Sequence, residues 1–365
     1  MRGEGEGEGE PDFYDSFTIC RHTNFYELWG NTLKENKLID GSSGVSPLGP
    51  SNKVKSSVRK AIKKINRGPC ENSALLKRLF ESKFGLSPEN LLFANSLKEL
   101  IYLVPHVLKP RRVLIVGPAL NIYEDASQSA GAEVSYINAM ETDGFAFDMS
   151  LIHKNLNDKD LVFLANPNRI AGKMIPREKI REAIAVMKSG SPHFVIDESL
   201  IDFAGSFDCL NDMLDKGNLT ILRTTAFFYG MPGLELAYAV SSPEIINLYR
   251  KNKHWEINPL TVEAAATAFK DSVYIKASKQ FMLSEKKMMI RMLNKIEWIK
   301  IYDTDANIIL IKINKNPDEV AQKLGRAGLD IRDCGEIKGL DRSYLRISVM
   351  KHENNLKLIS ALSSL

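Results

Sequence analysis

The residues most able to do chemistry are not arranged in the common reactive spacings. His22, His106, His153, His193, His254 and His352 form no metal-binding pair such as H-x-x-x-H. Cys20, Cys70, Cys209 and Cys334 lie far apart and make no C-x-x-C, so neither a zinc site nor a disulfide framework is expected, and a reducing cytoplasm is the default. There is no G-x-S-x-G elbow for a serine hydrolase. GPALNIYE, from Gly117, is not a G-x-G-x-x-G, and no Walker A sequence occurs, so dinucleotide and ATP sites lack support. What remains is a scattered polar set: Asn95, Ser96 and Lys98, then Asn168 and Arg169, then Asp197, and finally Arg346. Ser96 and Lys98 admit two readings. A helix start binds anions through its free N–H groups and its dipole, and a serine there is also an ordinary N-cap. Asp197 can equally bond nearby backbone groups in a turn.

The elements that must position these residues are strands and helices in alternation. Arg111 to Ala119, Glu133 to Ala139, Leu161 to Asn168, His193 to Ser199, Leu219 to Thr225 and Leu236 to Ser242 read as short buried strands bounded by turn residues. Helical patterns lie between several of them, opened by Pro176 and by Pro243. Such alternation predicts a three-layer α/β/α domain around a mostly parallel sheet. After Pro259 a long, nearly unbroken helical stretch is expected to about Arg291, followed by strands Asn307 to Ile313 and Tyr344 to Val349 and helices from about Pro317 and Glu353. That tail of the pattern reads as a smaller α/β domain. Ligands of open α/β sheets bind beyond the carboxyl ends of the strands. Chemistry is therefore expected at Ala119 to Tyr123, Asn166 to Gly172, Asp197 to Phe203 and Thr224 to Gly230.

Composition sets limits on partners. A net charge of +4 over 365 residues, without basic runs, argues against nucleic acid. No apolar run reaches the roughly 18 residues of a membrane span, so no membrane partner is expected. Hydrophobic residues at 44% and charged residues at 26% are ordinary for a soluble globular protein. Met1 to Glu10 is a Gly-Glu tract with no apolar core for a signal peptide, and a disordered tail is expected there. The division expected is a tail over 1–15, an arm over 16–45 packing on the small domain or a dimer partner, a large domain over 46–258, and a linking helix with a small domain over 259–365.

The strand-end segments, in their order, resemble fold-type I enzymes dependent on pyridoxal phosphate (PLP), of the class I and II aminotransferases. The branch they most resemble holds threonine-phosphate decarboxylases and histidinol-phosphate aminotransferases. SPLGP (Ser46 to Pro50), LLFANSLKELIYLVPHVLKP (Leu91 to Pro110), ANPNRIAGKMIP, VIDESLIDF, ILRTTAFFYGMPGLELAYAV and GLDRSYLRISV carry the likeness, over about residues 42 to 362. The resemblance implies a PLP-dependent transferase fold, a dimer with sites at the interface, and a Schiff-base lysine that holds the cofactor and moves protons.

This chain departs from that pattern where the chemistry resides. Arg223, Thr224, Gly230, Gly233, Leu234 and Tyr238 keep the register of the lysine loop, yet the lysine position is Phe227 and the preceding serine is Ala226. The arginine implied for the phosphate is Glu235, and no lysine lies between Lys216 and Lys251. The phosphate cup keeps Asn95, but Ser96, Leu97 and Lys98 follow it where the resemblance implies Gly-Ser or Gly-Thr. The stacking ring is Leu120, the partners of the ring hydroxyl are Arg169 and Leu200, and Gly68 stands at the interface tyrosine. Two implied elements persist: Asp197 for the pyridinium nitrogen, and Arg346 for the substrate carboxylate.

The losses are concerted while the framework persists. The expectation is a non-catalytic member of the family, with no catalytic residue and no cofactor. It would bind a small carboxylate or phosphate ligand through Arg346, with Arg169 and Lys98, or bind a partner protein. Asp197, Asn95, Ser96 and Asn168 would be vestiges of the cofactor site. A homodimer, or a heterodimer with an active relative, is expected. The alternative is an aminotransferase or decarboxylase that uses PLP without the usual lysine, held non-covalently at Asp197 or with Lys98 or Lys173 standing in. A third reading, unrelated chemistry in the same cleft, has no nucleophile–base pair behind it.

Overall fold

The computed structural model describes residues 38–66, 68–69, 74–185, 191–204, 213–214 and 218–365. The tail, most of the arm, and Cys20, Cys70 and Cys209 lie outside the described residues. Thirteen strands are described: β1 (Ile39–Asp40), β2 (Leu91–Ala94), β3 (Arg112–Gly117), β4 (Glu133–Asn138), β5 (Leu161–Ala165), β6 (His193–Asp197), β7 (Leu219–Thr224), β8 (Ala237–Ser241), β9 (Ile299–Ile301), β10 (Ile308–Ile313), β11 (Leu329–Asp330), β12 (Arg332–Asp333) and β13 (Tyr344–Ser348). Seven of them form one sheet in the order β2-β8-β7-β6-β5-β3-β4. Its pairs are parallel except for β8, which runs antiparallel to both β2 and β7.

Every residue of β5, β6, β7 and β8 is buried, as a sheet covered on both faces requires. The pleat sends alternate residues to opposite cores. Val162, Leu164, Phe194, Ile196 and Ile221 enter one core, with Leu76, Phe80, Ile180 and Phe269. Leu161, Phe163, Val195 and Leu222 enter the other, with Leu100, Ile101, Tyr123 and Tyr249. Asp197 follows Val195 by two, so its carboxyl emerges on the second of these faces, at the carboxyl end of β6.

A second, antiparallel sheet has the order β12-β13-β10-β9. Ile309, Ile311, Ile313 and Ile347 bury one face under the helices Ser272–Leu293, Pro317–Arg326 and His352–Ser363. Leu310 and Tyr344 point the other way, into a cluster with Phe145, Ile170, Ala171 and Cys334. That opposite face therefore looks onto the turn after β5. Arg346 pairs with Leu310 in register and leaves from the same face.

Two expectations are corrected. The single long helix after Pro259 is two helices, Pro259–Lys270 and Ser272–Leu293. Asp271 separates them with non-helical backbone, and its carboxylate accepts from the Tyr274 N–H at 3.4 Å and meets Lys53 Nζ at 3.1 Å. Aspartate favours such a capping position over a helix interior. Strand β2 is not among the strands expected from the sequence, because four apolar residues show no period of their own.

Candidate functional site

Asp197 is 1% exposed, and neighbours from this chain occupy both carboxylate oxygens. The Tyr123 hydroxyl donates to Oδ2 at 2.5 Å, and the Ser199 N–H donates to Oδ1 at 2.8 Å. Arg169 Nη1 lies 3.7 Å from Oδ2. Its guanidinium also stands over the Phe227 ring, 4.7 Å from the centroid, within cation–π reach. Burial, then the Asp197 charge, pushes the Tyr123 phenol well above its ordinary value, so it stays a protonated donor. Phe227 packs beside Leu200, Ala306 and Ile308, and its carbonyl accepts from the Ser46 N–H at 2.8 Å. Just beyond it, Gly230 has φ +63°, and a Cβ there would meet Gly49 Cα at 2.7 Å. Only glycine allows the loop to close this tightly on the Ser46–Pro50 turn.

A second charge sits at the start of the helix Leu97–Leu108. Glu235 Oε1 accepts from the Leu97 N–H at 2.9 Å and from Thr224 Oγ1 at 2.5 Å. Ser96 caps the same helix, its Oγ accepting from the Glu99 N–H at 3.1 Å. The Glu99 carboxylate reaches back to the Asn95 N–H at 2.9 Å. Three backbone donors that an anion could use at this end thus already have partners. Burial pushes the Glu235 carboxyl above its ordinary value, and the Thr224 and Leu97 bonds pull it partly back.

The third feature is a group of arginines on the free face of the small sheet. Arg332 of β12 and Arg346 of β13 stand directly opposite each other in register. Arg346, 5% exposed, donates Nη1 to the Arg169 carbonyl at 2.8 Å and Nη2 to the Ser42 carbonyl. Among the described residues, the buried Nε atoms of Arg332 and Arg346 have no hydrogen-bond partner. Burial, then the charges of Arg332 and Arg169, push the Arg346 pKa down to about 9. Arg332 moves in the same direction for the same first reason. Like charges opposite one another in a sheet are unfavourable, and buried unpaired donors more so. An anion between the guanidiniums would relieve both.

The other candidates go elsewhere. Lys98 is exposed, its ammonium 5.9 Å from the Tyr102 ring centroid, and it does not join the arginines. Lys173 is held by Asp303 at 2.5 Å. Asn168 organises the turn after β5: its amide donates to the Pro118 carbonyl, and its Oδ1 accepts from the Ile170 and Ala171 N–H groups, all at 2.9 Å. The Asn95 side chain donates to the Glu256 carbonyl at 3.1 Å. Tyr123 and Arg332 were not foreseen as site residues. For Tyr123 the available signal was its place just past a strand end. For Arg332 none existed before the β12–β13 register was known. No group of acids, histidines and cysteines among the described residues could hold a metal ion.

The residues present do not fit PLP. The cofactor needs an amine for its aldehyde, free N–H donors for its phosphate, and a carboxylate free to face its ring nitrogen. Phe227 has no amine. Glu235 holds the Leu97 N–H and would set a negative charge against a phosphate dianion. Tyr123 and Arg169 already face the Asp197 oxygen.

The sequence model of the family "Aminotransferase class I and II" matches residues 42–362. Histidinol-phosphate aminotransferase 2 of Archaeoglobus fulgidus is 31% identical over 350 residues, 94% of this chain and 98% of that one. Threonine-phosphate decarboxylase of Salmonella typhimurium is 27% identical over 90% of this chain and 92% of its own length. The crystal structure of histidinol-phosphate aminotransferase from Clostridium acetobutylicum matches with TM-score 0.83 at 26% identity, covering 90% of this chain and 98% of that one. The Sinorhizobium meliloti histidinol-phosphate aminotransferase, in complex with pyridoxal-5'-phosphate, matches with TM-score 0.82 at 20% identity, covering 93% and 92% of the two chains.

Proposed function

We propose, from the premise that the chain belongs to the class I and II aminotransferase family, that it binds a small phosphorylated amino-acid-like anion without catalysing Schiff-base chemistry. The observation that carries this reading is the facing pair of half-buried Arg332 and buried Arg346, whose buried Nε donors are unpartnered among the described residues. Arginine is suited to carboxylate and phosphate because its planar fork gives paired, charge-assisted bonds. The named relatives include threonine-phosphate decarboxylase and histidinol-phosphate aminotransferase. Their names make a phosphomonoester beside an amino group the first class to test. Phe227 supports the non-catalytic half of the reading, since a phenyl ring neither forms an imine nor carries a proton.

Titration calorimetry with O-phospho-L-threonine and with histidinol phosphate tests the reading. Arg332→Gln and Arg346→Gln should each weaken binding about tenfold to a hundredfold, the scale of a charge-assisted hydrogen bond. Equal affinity in the wild type and both variants would remove the arginines from the reading. Product formation from either compound would end its non-catalytic half.

The same reading takes the protein as a dimer, with itself or with an active relative. Ile65, Trp255 and Val273, at 65%, 69% and 72% exposure, are the apolar side chains most in need of cover. A single species of monomer mass in gel filtration at micromolar concentration would refute the self-association.

A further inference from the structure

We propose that the chain carries its own replacement for the cofactor: the Glu235 carboxylate takes the phosphate's place at the N-terminus of the helix Leu97–Leu108, and the Arg169 guanidinium takes the place of the ring cation, facing Asp197. The first half rests on two bonds to one oxygen. Glu235 Oε1 accepts from the Leu97 N–H and from Thr224 Oγ1, so a helix start that would attract an anion is filled by one tethered to the loop after Phe227. The second half rests on a planar cation set between a ring and an acid. Arg169 is 4.7 Å from the Phe227 centroid and 3.7 Å from Asp197 Oδ2, with Tyr123 on the same oxygen. A planar cation beside an aromatic side chain and an anion at the helix start are the two charge features that a bound PLP would bring. The substitutions that look like separate losses along the sequence are one compensated set in space.

This goes beyond the ligand reading and is independent of it. It gives the buried Asp197 partners from within the chain, and it locates the obstacle to PLP in Glu235 and Arg169 as well as in Phe227. A lysine at residue 227 alone should therefore leave PLP binding weak.

The experiment compares the wild type, Phe227→Lys, and the triple variant Phe227→Lys/Glu235→Arg/Arg169→Asn. Each is titrated with PLP, reduced with borohydride, and mapped by peptide mass spectrometry. The expected result is an adduct at residue 227 in the triple variant, at a PLP concentration about tenfold or more below that needed by Phe227→Lys. An adduct forming equally readily in Phe227→Lys alone would overturn the proposal. A second arm uses thermal melting with inorganic phosphate. Arg346→Gln serves as background, so that the arginine pair contributes little whichever way the ligand reading turns out. Phosphate should raise the melting temperature of Glu235→Ala/Arg346→Gln and leave that of Arg346→Gln unmoved, because the helix start is freed only in the first. No gain in the double variant would mean that Glu235 is not holding an anion site, and the proposal would fall even if the triple variant does not fold.

Discussion

The two charged regions of this molecule are built to opposite rules. At the carboxyl end of the large sheet the two carboxylates have internal partners: Asp197 has Tyr123, Ser199 and Arg169, and Glu235 has Leu97 and Thr224. On the free face of the small sheet, Arg332 and Arg346 confront each other with Nε donors that have no partner among the described residues. Buried polar groups in proteins are nearly always satisfied. The Asp197 and Glu235 carboxylates are thus held from within, while the arginine face keeps two Nε donors for the ligand proposed above.

That contrast makes opposite predictions for substitutions in the two places. The largest effect is expected at the buried pair under the site, where Arg223 Nε meets Glu198 Oε2 at 2.7 Å and Nη2 meets it at 2.6 Å. Arg223→Ala strands the Glu198 charge and should lower unfolding free energy by about 3–5 kcal/mol in urea titrations. A loss of under about 1 kcal/mol would show that this region is not held by its ion pair.

A pH effect of similar order comes from His193 on β6. Burial pushes its pKa down from 6.5 to about 4, with Nε2 2.8 Å from Thr220 Oγ1. The folded pKa lies below the unfolded one, so the unfolded state takes up the proton first as pH falls. The stability held at and above pH 6.5 is then lost on the way down to pH 4, by about 3 kcal/mol in total. The wild type should show this slope in unfolding measurements across pH 7 to 4.5, and His193→Gln should lack it. Parallel curves for the two proteins would refute it.

Smaller effects sharpen the comparison itself. Tyr123→Phe takes a donor from the buried Asp197 and should destabilise by about 2 kcal/mol. Arg332→Met removes a charge whose Nε has no partner among the described residues, and its stability should stay within about 1 kcal/mol of the wild type or rise. If Arg332→Met is instead the more damaging of the two in denaturant titrations, the arginine face is structural and the distinction between the regions collapses.

Much of this was legible in the sequence, for identifiable reasons. The six strands read from Arg111 to Ser242 are present because β-branched runs bounded by turn residues have little alternative, though β4, at the sheet edge, is only partly buried. Asp197 could be placed from its strand end, and Phe227 from the register of Arg223, Thr224 and Gly230. The partners could not. Tyr123 and Asp197 meet because β3 and β6 flank β5, a fact of sheet order that no local pattern contains. Glu235 read as a conflict with phosphate, and only the fold shows which N–H groups it holds. Lys98 read as an anion contact because it neighbours the helix start. One residue is 100° of helix, and that rotation turned its side chain outward.

The close approach of Gly230 to Gly49 bears on how the protein is made. One wall of the Phe227 loop, the turn at Ser46 to Pro50, leaves the ribosome long before the loop, and the other wall, at Ala306 and Ile308, long after it. No wall is local to the loop it shapes, and contacts so distant in sequence form slowly. The nascent chain can complete the central sheet through β8 while this corner still waits for residues not yet synthesised. The Phe227 corner can therefore take its final packing only after Ala306 and Ile308 have been made.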